Sequence, residues 1–383
     1  MPARRLLPHL LALAALVLSA RARAAVPPPL SNPNFGFPLP GDYASPASAA
    51  SAGLALADRW LGESPFENPA ARPPQGVSGS PVFQRVNRQD LAAANRSLDQ
   101  NGGYFDFAGA SLAGRVRGWG LTGYVWQPVL RLEQEGYSAG PIASPAFIQQ
   151  QASQREVRGG LAISSPIGPA RIGVSGEWVH RDDDYQTHEQ SGSPTAGDRD
   201  LKFSGDGWGG SAGIAWAVDP DRPWGSWFGA AVHYTSELNL AGTLESTADT
   251  SFTPDVAVTR AAEWSGGVSA RVSVAPATRV VAGVSVRQGA DWQGFGFGTG
   301  TGASWGLGLD WKDSELPWGA RFGVGQESDQ DAVEHKAGLL SVGATWVSGT
   351  LTIDVGLLHR NLTREGSPHS ADDRAVVTVN VGF

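Results

Sequence analysis

The chain has no cysteine, a single methionine among 383 residues, and only 17% charged residues. Without cysteine no disulfide framework can hold it, so a large architecture must close on itself through packing and backbone pairing. Long apolar runs are also scarce. The one such stretch is Leu10-Leu-Ala-Leu-Ala-Ala-Leu-Val-Leu18, and nothing later reaches the length that a transmembrane helix needs. Basic residues are in the minority, and a net charge of −8 argues against nucleic acid as a partner.

What is present is unusual in the other direction: 50 glycines, 26 prolines and 14 tryptophans, at a mean hydropathy of −0.19. That is too polar for a bundle of membrane helices. Barrel walls have such a composition, with polar and apolar residues alternating and aromatics gathered at the interfaces.

The apolar stretch near the start has Arg4 and Arg5 before it and Ala22-Arg23-Ala24 after it. Basic n-region, h-region and A-x-A site together mark residues 1–24 as an expected secretory signal peptide, set aside from the fold. Residues 25–75 are rich in Pro and Ala, as in Val26-Pro-Pro-Pro29, with a short helix expected over 47–61 and a turn at Glu67-Asn68-Pro69-Ala70. Phe35, Phe37, Leu54, Trp60 and Phe66 give this segment more buried-type residues than a linker carries. It reads as a plug or hook inside a barrel formed by residues 76–383.

From Gly76 onward the chain alternates with period two. In Ser304-Trp-Gly-Leu-Gly-Leu-Asp-Trp311 the apolar Trp305, Leu307, Leu309 and Trp311 share one face and Ser304, Gly306, Gly308 and Asp310 the other. Tryptophan at both ends of an apolar face suits a lipid-facing wall. The final segment does the same: Ala375, Val377, Val379, Val381 and Phe383 oppose Val376, Thr378, Asn380 and Gly382. It looks like the closing strand of an outer-membrane barrel, the element that the outer-membrane assembly machinery would read.

Fourteen strands are counted, joined alternately by short turns, at 165–168, 219–222, 275–278, 312–317 and 348–349, and by long polar loops. The loops are expected at 87–101, 136–154, 181–200, 238–259, 290–301, 327–334 and 361–373. The expected fold is therefore an all-β, transmembrane antiparallel β-barrel of about 14 strands with an N-terminal plug, monomeric, with long loops outside and both termini on the periplasmic side.

Three places carry a resemblance to the long-chain fatty-acid transporter family, the FadL-type outer-membrane β-barrels. Gly53-Leu-Ala-Leu-Ala-Asp58 with Glu67-Asn68-Pro69-Ala70 resembles its plug segment. Trp119-Gly-Leu-Thr-Gly-Tyr-Val-Trp-Gln-Pro128-Val-Leu-Arg-Leu-Glu133 resembles its third strand, with Val129 and Leu130 where the family has Phe-Gly. Gly205-Asp-Gly-Trp208-Gly-Gly-Ser-Ala-Gly213-Ile-Ala-Trp216 and Tyr234-Thr-Ser-Glu237 resemble its sixth and seventh strands. The resemblance implies passive uptake of long-chain fatty acids or aromatic hydrocarbons through a plugged barrel with a lateral opening, no cofactor, no catalytic group and a bacterial outer-membrane location. Partners would be hydrophobic small molecules and outer-membrane lipid. The alternative is a non-transporting barrel on the same scaffold, an assembly or secretion component.

Proline cannot donate to a ladder, yet a closed barrel has no edge on which to place one. Gln127-Pro128 therefore marks either a lateral opening or a bulge that accommodates curvature. Parity sends Arg271, Arg287, Arg321 and Arg360 inward, with Glu177, Asp310 and Asp354. The four arginines are candidate contacts for a ligand carboxylate; internal ladders of mutually satisfied charges are the competing reading. His180, Asp182, Asp183, Asp184 and His188 fall in an expected solvated loop, so neither a metal site nor a protease is assigned to them. Gly294-Phe-Gly-Phe-Gly-Thr-Gly-Thr-Gly302 has no helix after it and is not a nucleotide loop.

Overall fold

The computed structural model describes residues 66–71, 76–90, 106–139, 146–190, 198–218, 225–246, 251–289, 291–293, 297–298, 301–313, 315–330, 335–364 and 367–383. The signal segment, the helix expected over 47–61 and the turn expected at 219–222 lie outside them. No helix among the described residues is long and apolar enough to cross a membrane.

The described chain is an antiparallel sheet closed on itself. In order it runs β1 (Val77–Asp90), β2 (Asp106–Val116), β3 (Trp119–Ala139), β4 (Ala146–Ile167), β5 (Ala170–Gln190), β6 (Asp198–Ala217), β7 (Trp227–Thr235), β8 (Leu238–Ser246) and β9 (Ser251–Arg260). It continues with β10 (Glu263–Ala275), β11 (Thr278–Arg287), β12 (Asp291–Gln293), β13 (Phe297–Gly298), β14 (Thr301–Lys312), β15 (Trp318–Gln330), β16 (His335–Ser348), β17 (Leu351–Arg364) and β18 (Ser367–Gly382). Four consecutive pairs, β7 with β8, β9 with β10, β11 with β12 and β13 with β14, each follow one line up the wall. β6, for instance, pairs β7 along its lower half and β8 along its upper half. The eighteen segments thus build fourteen staves, and β18 pairs with β1 to close the ring.

Alternation sets the two faces. Outward side chains are apolar and half exposed: Leu161, Val174, Trp178, Trp208, Trp216, Trp264, Trp305, Leu307 and Trp318 among them. Trp208 and Trp216 stand eight residues apart on β6, about 27 Å along the strand and about 20 Å along the normal at a tilt near 40°. That matches the apolar band of a membrane barrel bounded by two aromatic rows. Trp208, Tyr234 and Trp264 form part of the upper row, with ring centroids 5.1 and 4.6 Å apart. The closing strand obeys the same rule: Val376 and Thr378 are buried inward.

At the lower end β2 and β3 join through Arg117-Gly118, both at positive φ (51° and 85°). Two consecutive positive φ values match the right-handed twist of the flanking strands, and glycine adopts them without strain.

The stretches expected as long loops are a correction. β5 runs unbroken to Gln190, β6 starts at Asp198, β8 and β9 occupy most of 238–259, and β3 and β4 take up most of 136–154. Above the lipid band water replaces lipid outside, so outward positions turn polar (Asp182, Asp184, Gln186) and the apolar alternation disappears from the sequence. The backbone ladder does not depend on it and continues. His180, Asp182, Asp183, Asp184 and His188 therefore sit on a strand, with Asp183 buried inward. Among the described residues no group of three or more His, Cys, Asp or Glu is placed to hold a metal ion.

Candidate functional site

Among the described residues, four layers are stacked inside the wall along β3–β9. The lowest layer is a short turn around Asn68. Its side-chain oxygen accepts the Ala70 N–H (2.9 Å) and its carbonyl accepts the Ala71 N–H (3.0 Å), while the proline ring fixes φ between them. The turn is fully buried. The Asn68 amide donates to the carbonyls of Ile214 (3.1 Å) and Ala230 (3.4 Å), partners across β6 and β7. His233 Nε2 donates to the Glu67 carbonyl, and Ser164 Oγ, itself bonded by Arg171, donates to the Ala71 carbonyl at 3.3 Å.

This turn fits because two glycines directly paired across β5 and β6 leave room for it. A Cβ on Gly213 would overlap Asn68 Oδ1, and one on Gly173 would overlap the Pro69 carbonyl. The sequence-predicted Asn68, Pro69 and Ala70 are thus brought together against β5, β6 and β7. Gly173, Gly213, His233 and Ser164 were not singled out. A signal existed in the glycines among the inward positions of β6 (Gly205, Gly207, Gly209, Gly213), which leave much of this stave with little side chain inside.

Phe66 links the turn to β3. It packs edge-on against Tyr124 (5.3 Å, 73°) and beside Trp126 (5.8 Å), with Ala162 completing a small apolar cluster. Above lies a buried ionic network. Glu156 receives Arg158 (2.7 Å), Arg181 (3.3 Å) and Arg260 (2.8 Å); Arg158 also reaches Glu177 (3.5 Å), and Arg181 holds Asp183 (2.8 Å). Tyr124 donates to Glu177 at 2.7 Å, and the Arg158 guanidinium lies over the Trp126 ring at 5.6 Å. Such a network stays buried because every carboxylate has a donor at hydrogen-bond distance.

The uppermost layer is apolar: Val179, Tyr185, Leu201, Phe203, Leu238, Leu240, Val256 and Val258 are all buried together. β8 bends inward over β6 to form it, since a Cβ on Gly207 would overlap the Leu238 side chain. The chain breaks between β7 and β8 at Ser236-Glu237, where Ser236 Oγ accepts the Trp208 N–H (3.1 Å).

Gln127-Pro128 sits at a discontinuity in the wall. On the β4 side the register jumps from Trp126↔Arg158 to Val129↔Glu156, so two residues face the single Val157, a β-bulge. On the β2 side the ladder ends at Gly109↔Trp126, and among the described residues β3 has no β2 partner beyond it. The Gln127 amide crosses this break and donates to the Phe107 carbonyl at 3.0 Å. A further bulge at Val82/Phe83 releases Ala108 from the β1 side.

The predicted inward arginines divide. Arg271, Arg279 and Arg321 converge on Asp310 at 4.0, 2.9 and 3.4 Å, Arg321 also reaches Asp354 at 3.5 Å, and Arg360 pairs with Glu327 at 3.4 Å. Arg287 is inward on β11, opposite Gly302. A ligand carboxylate at Arg271, Arg321 or Arg360 would have to displace an aspartate or glutamate that is already there.

These observations define a membrane-spanning β-barrel of fourteen staves with the Asn68 turn docked in its lumen and a break in the β2–β3 ladder. No family model and no curated protein matches the sequence. Solved structures do. The toluene transporter TbuX of Ralstonia pickettii aligns with 87% of this chain and 99% of its own, at 17% identity and a TM-score of 0.61. A Pseudomonas aeruginosa FadL homologue aligns with 88% of this chain and 98% of its own (10% identity, TM-score 0.59). The P. putida toluene transporter TodX aligns with 82% and 92% (12% identity, TM-score 0.55). The fold is that of the FadL-type barrels.

Proposed function

We propose that this chain is an outer-membrane channel for passive uptake of hydrophobic molecules, long-chain fatty acids or aromatic hydrocarbons. Residues 25–75 act as its plug, and the wall opens sideways into the bilayer at Gln127-Pro128. The observation that carries this reading is the coincidence at one point of the Gln127-Pro128 bulge and the end of the β2–β3 ladder. An apolar solute cannot cross a fully paired wall, because every backbone group there is engaged with its neighbour. A break in the ladder is the route that avoids water. The buried ionic network supports the same direction of travel, since it stands between the upper apolar layer and the lower end of the barrel. The toluene transporters with the same fold make a hydrophobic cargo a natural choice.

The test is to close the break. Pro128→Val supplies an N–H and a β-former, and is expected to leave the barrel folded while uptake of long-chain fatty acid or toluene by intact cells falls sharply. Small polar solutes should be unaffected. A disulfide engineered across the break, in a chain with no cysteine of its own, should block uptake reversibly. Undiminished apolar uptake in both variants would leave Pro128 as a structural bulge and favour a non-transporting scaffold.

A further inference from the structure

Trp126 is the lumen-facing residue immediately before the break, only 5% exposed, between Phe66 of the hook and the Arg158 guanidinium. Its ring is well packed. Its indole N–H is not satisfied: Nε1 is fully buried and donates to no acceptor among the described residues. Buried donors are almost always paired, because leaving one unmade forfeits the hydrogen bond it had with water. Tryptophan is also a costly choice where only apolar filling is required, since phenylalanine fills a similar space with no such donor.

The surroundings restrict what the donor can take. The cation beside the ring, Arg158, is already held by Glu156 at 2.7 Å and Glu177 at 3.5 Å, with Glu263 at 4.0 Å. Among the described residues the network around it sets Arg158, Arg181 and Arg260 against Glu156, Glu177, Asp183 and Glu263. An anionic head arriving at Trp126 would meet more carboxylate than guanidinium and be repelled. A neutral oxygen would meet a free N–H in a dry, aromatic setting.

We propose that Trp126 is a specificity-determining residue whose indole N–H hydrogen-bonds a neutral acceptor oxygen on an otherwise apolar ligand, a ketone, ester, alcohol or un-ionised acid, as that ligand reaches the break at Gln127-Pro128. The inference rests on the transport reading above and narrows its cargo. A site holding a buried unpaired donor gains most from a ligand that satisfies it and discriminates against one that does not. Phe66 covers the ring in the docked state, so ligand arrival and displacement of Phe66 occur together.

Three probes of similar size separate the possibilities: ethylbenzene without an acceptor, acetophenone with a neutral one, and benzoate with an anion. Their uptake is measured in intact cells carrying the full-length protein, each relative to cells without it. The protein should accelerate acetophenone about fivefold more than ethylbenzene, the worth of one net hydrogen bond, and accelerate benzoate least. Trp126→Phe, checked for folding by its heat-modifiable migration, should bring the acetophenone-to-ethylbenzene ratio down to about one. Trp126→His, which keeps a ring N–H, should restore part of the preference. An unchanged acetophenone-to-ethylbenzene ratio in folded Trp126→Phe, or benzoate as the favoured probe, overturns the inference and leaves the transport reading standing. If the unaltered protein accelerates none of the three but still takes up long-chain fatty acid, this inference falls and the transport reading stands; if it takes up no fatty acid either, both fall.

Discussion

Asn68 stands where a side chain on Gly213 would be, and its amide donates to the Ile214 carbonyl of the same strand at 3.1 Å. The turn at Asn68 and the wall are therefore cut to each other. Gly213→Ala is expected to expel the turn without unfolding the barrel, because β6 keeps its ladders to β5 and β7. Permeability to small solutes, read as antibiotic sensitivity or single-channel conductance, should rise in Gly213→Ala and in a variant lacking residues 25–74. A closed barrel in both would mean that the hook is not what holds the lumen shut.

The Gln127–Phe107 hydrogen bond is the described contact that spans the break in the wall. Gln127→Met keeps the length and removes the donor. Loss of one such bond should cost about 1 kcal/mol, and the opening should widen, so apolar uptake should hold or increase while melting temperature drops slightly. A fall in uptake with stability unchanged would assign Gln127 to ligand contact and not to closing the gap.

Glu156 receives three arginines at full burial. Glu156→Gln leaves those guanidinium groups facing a neutral amide in a dry interior, the situation in which removing one partner of a buried ion pair costs about 3–5 kcal/mol. Denaturant unfolding followed by tryptophan fluorescence should show that loss. Arg158→Met should cost less than Glu156→Gln, since of its carboxylate neighbours Glu156 and Glu263 keep Arg260 and Glu177 keeps the Tyr124 hydroxyl.

His180 lies two residues beyond Trp178, outside the apolar belt, with its ring stacked on that indole at 5.5 Å. Partial burial lowers its pKa, but hydrogen bonds and charge from Asp206 (2.9 Å) and Asp182 (3.0 Å) outweigh it and hold the imidazolium above its ordinary value. A raised folded pKa means the pairing contributes fully below about pH 6.5 and is lost as pH rises through the folded value. NMR titration of the His180 ring should give a midpoint above 6.5, and Asp206→Asn should lower it. A midpoint at or below the free value would show that the two aspartates do not hold the ring.

Much of the fold was legible because a membrane barrel writes its faces into alternate residues. Trp305, Leu307 and Leu309 outward with Asp310 inward needed only period two, and the inward arginines followed from the same parity. The Asn68-Pro69-Ala70 turn could be read because its geometry is made locally, by an asparagine oxygen two residues from the N–H it accepts. The upper halves of β5, β6, β8 and β9 could not, since water outside the membrane removes the apolar alternation while the backbone ladder persists.

Contacts distant in sequence belong to the tertiary structure alone. Amino-acid order placed Pro128 in mid-strand and so announced a disruption. That the ladder to β2 stops two residues before it, at Gly109↔Trp126, depends on the register of another hairpin. Sequence likewise shows glycines on β6 but not the asparagine from residue 68 that fills the space at Gly213. The same holds for Arg260 joining Glu156 across 104 residues. Side-chain direction is set by neighbours one or two residues away and survives in the sequence; which side chains meet across the lumen is set by ring closure and stagger, which the whole wall decides together.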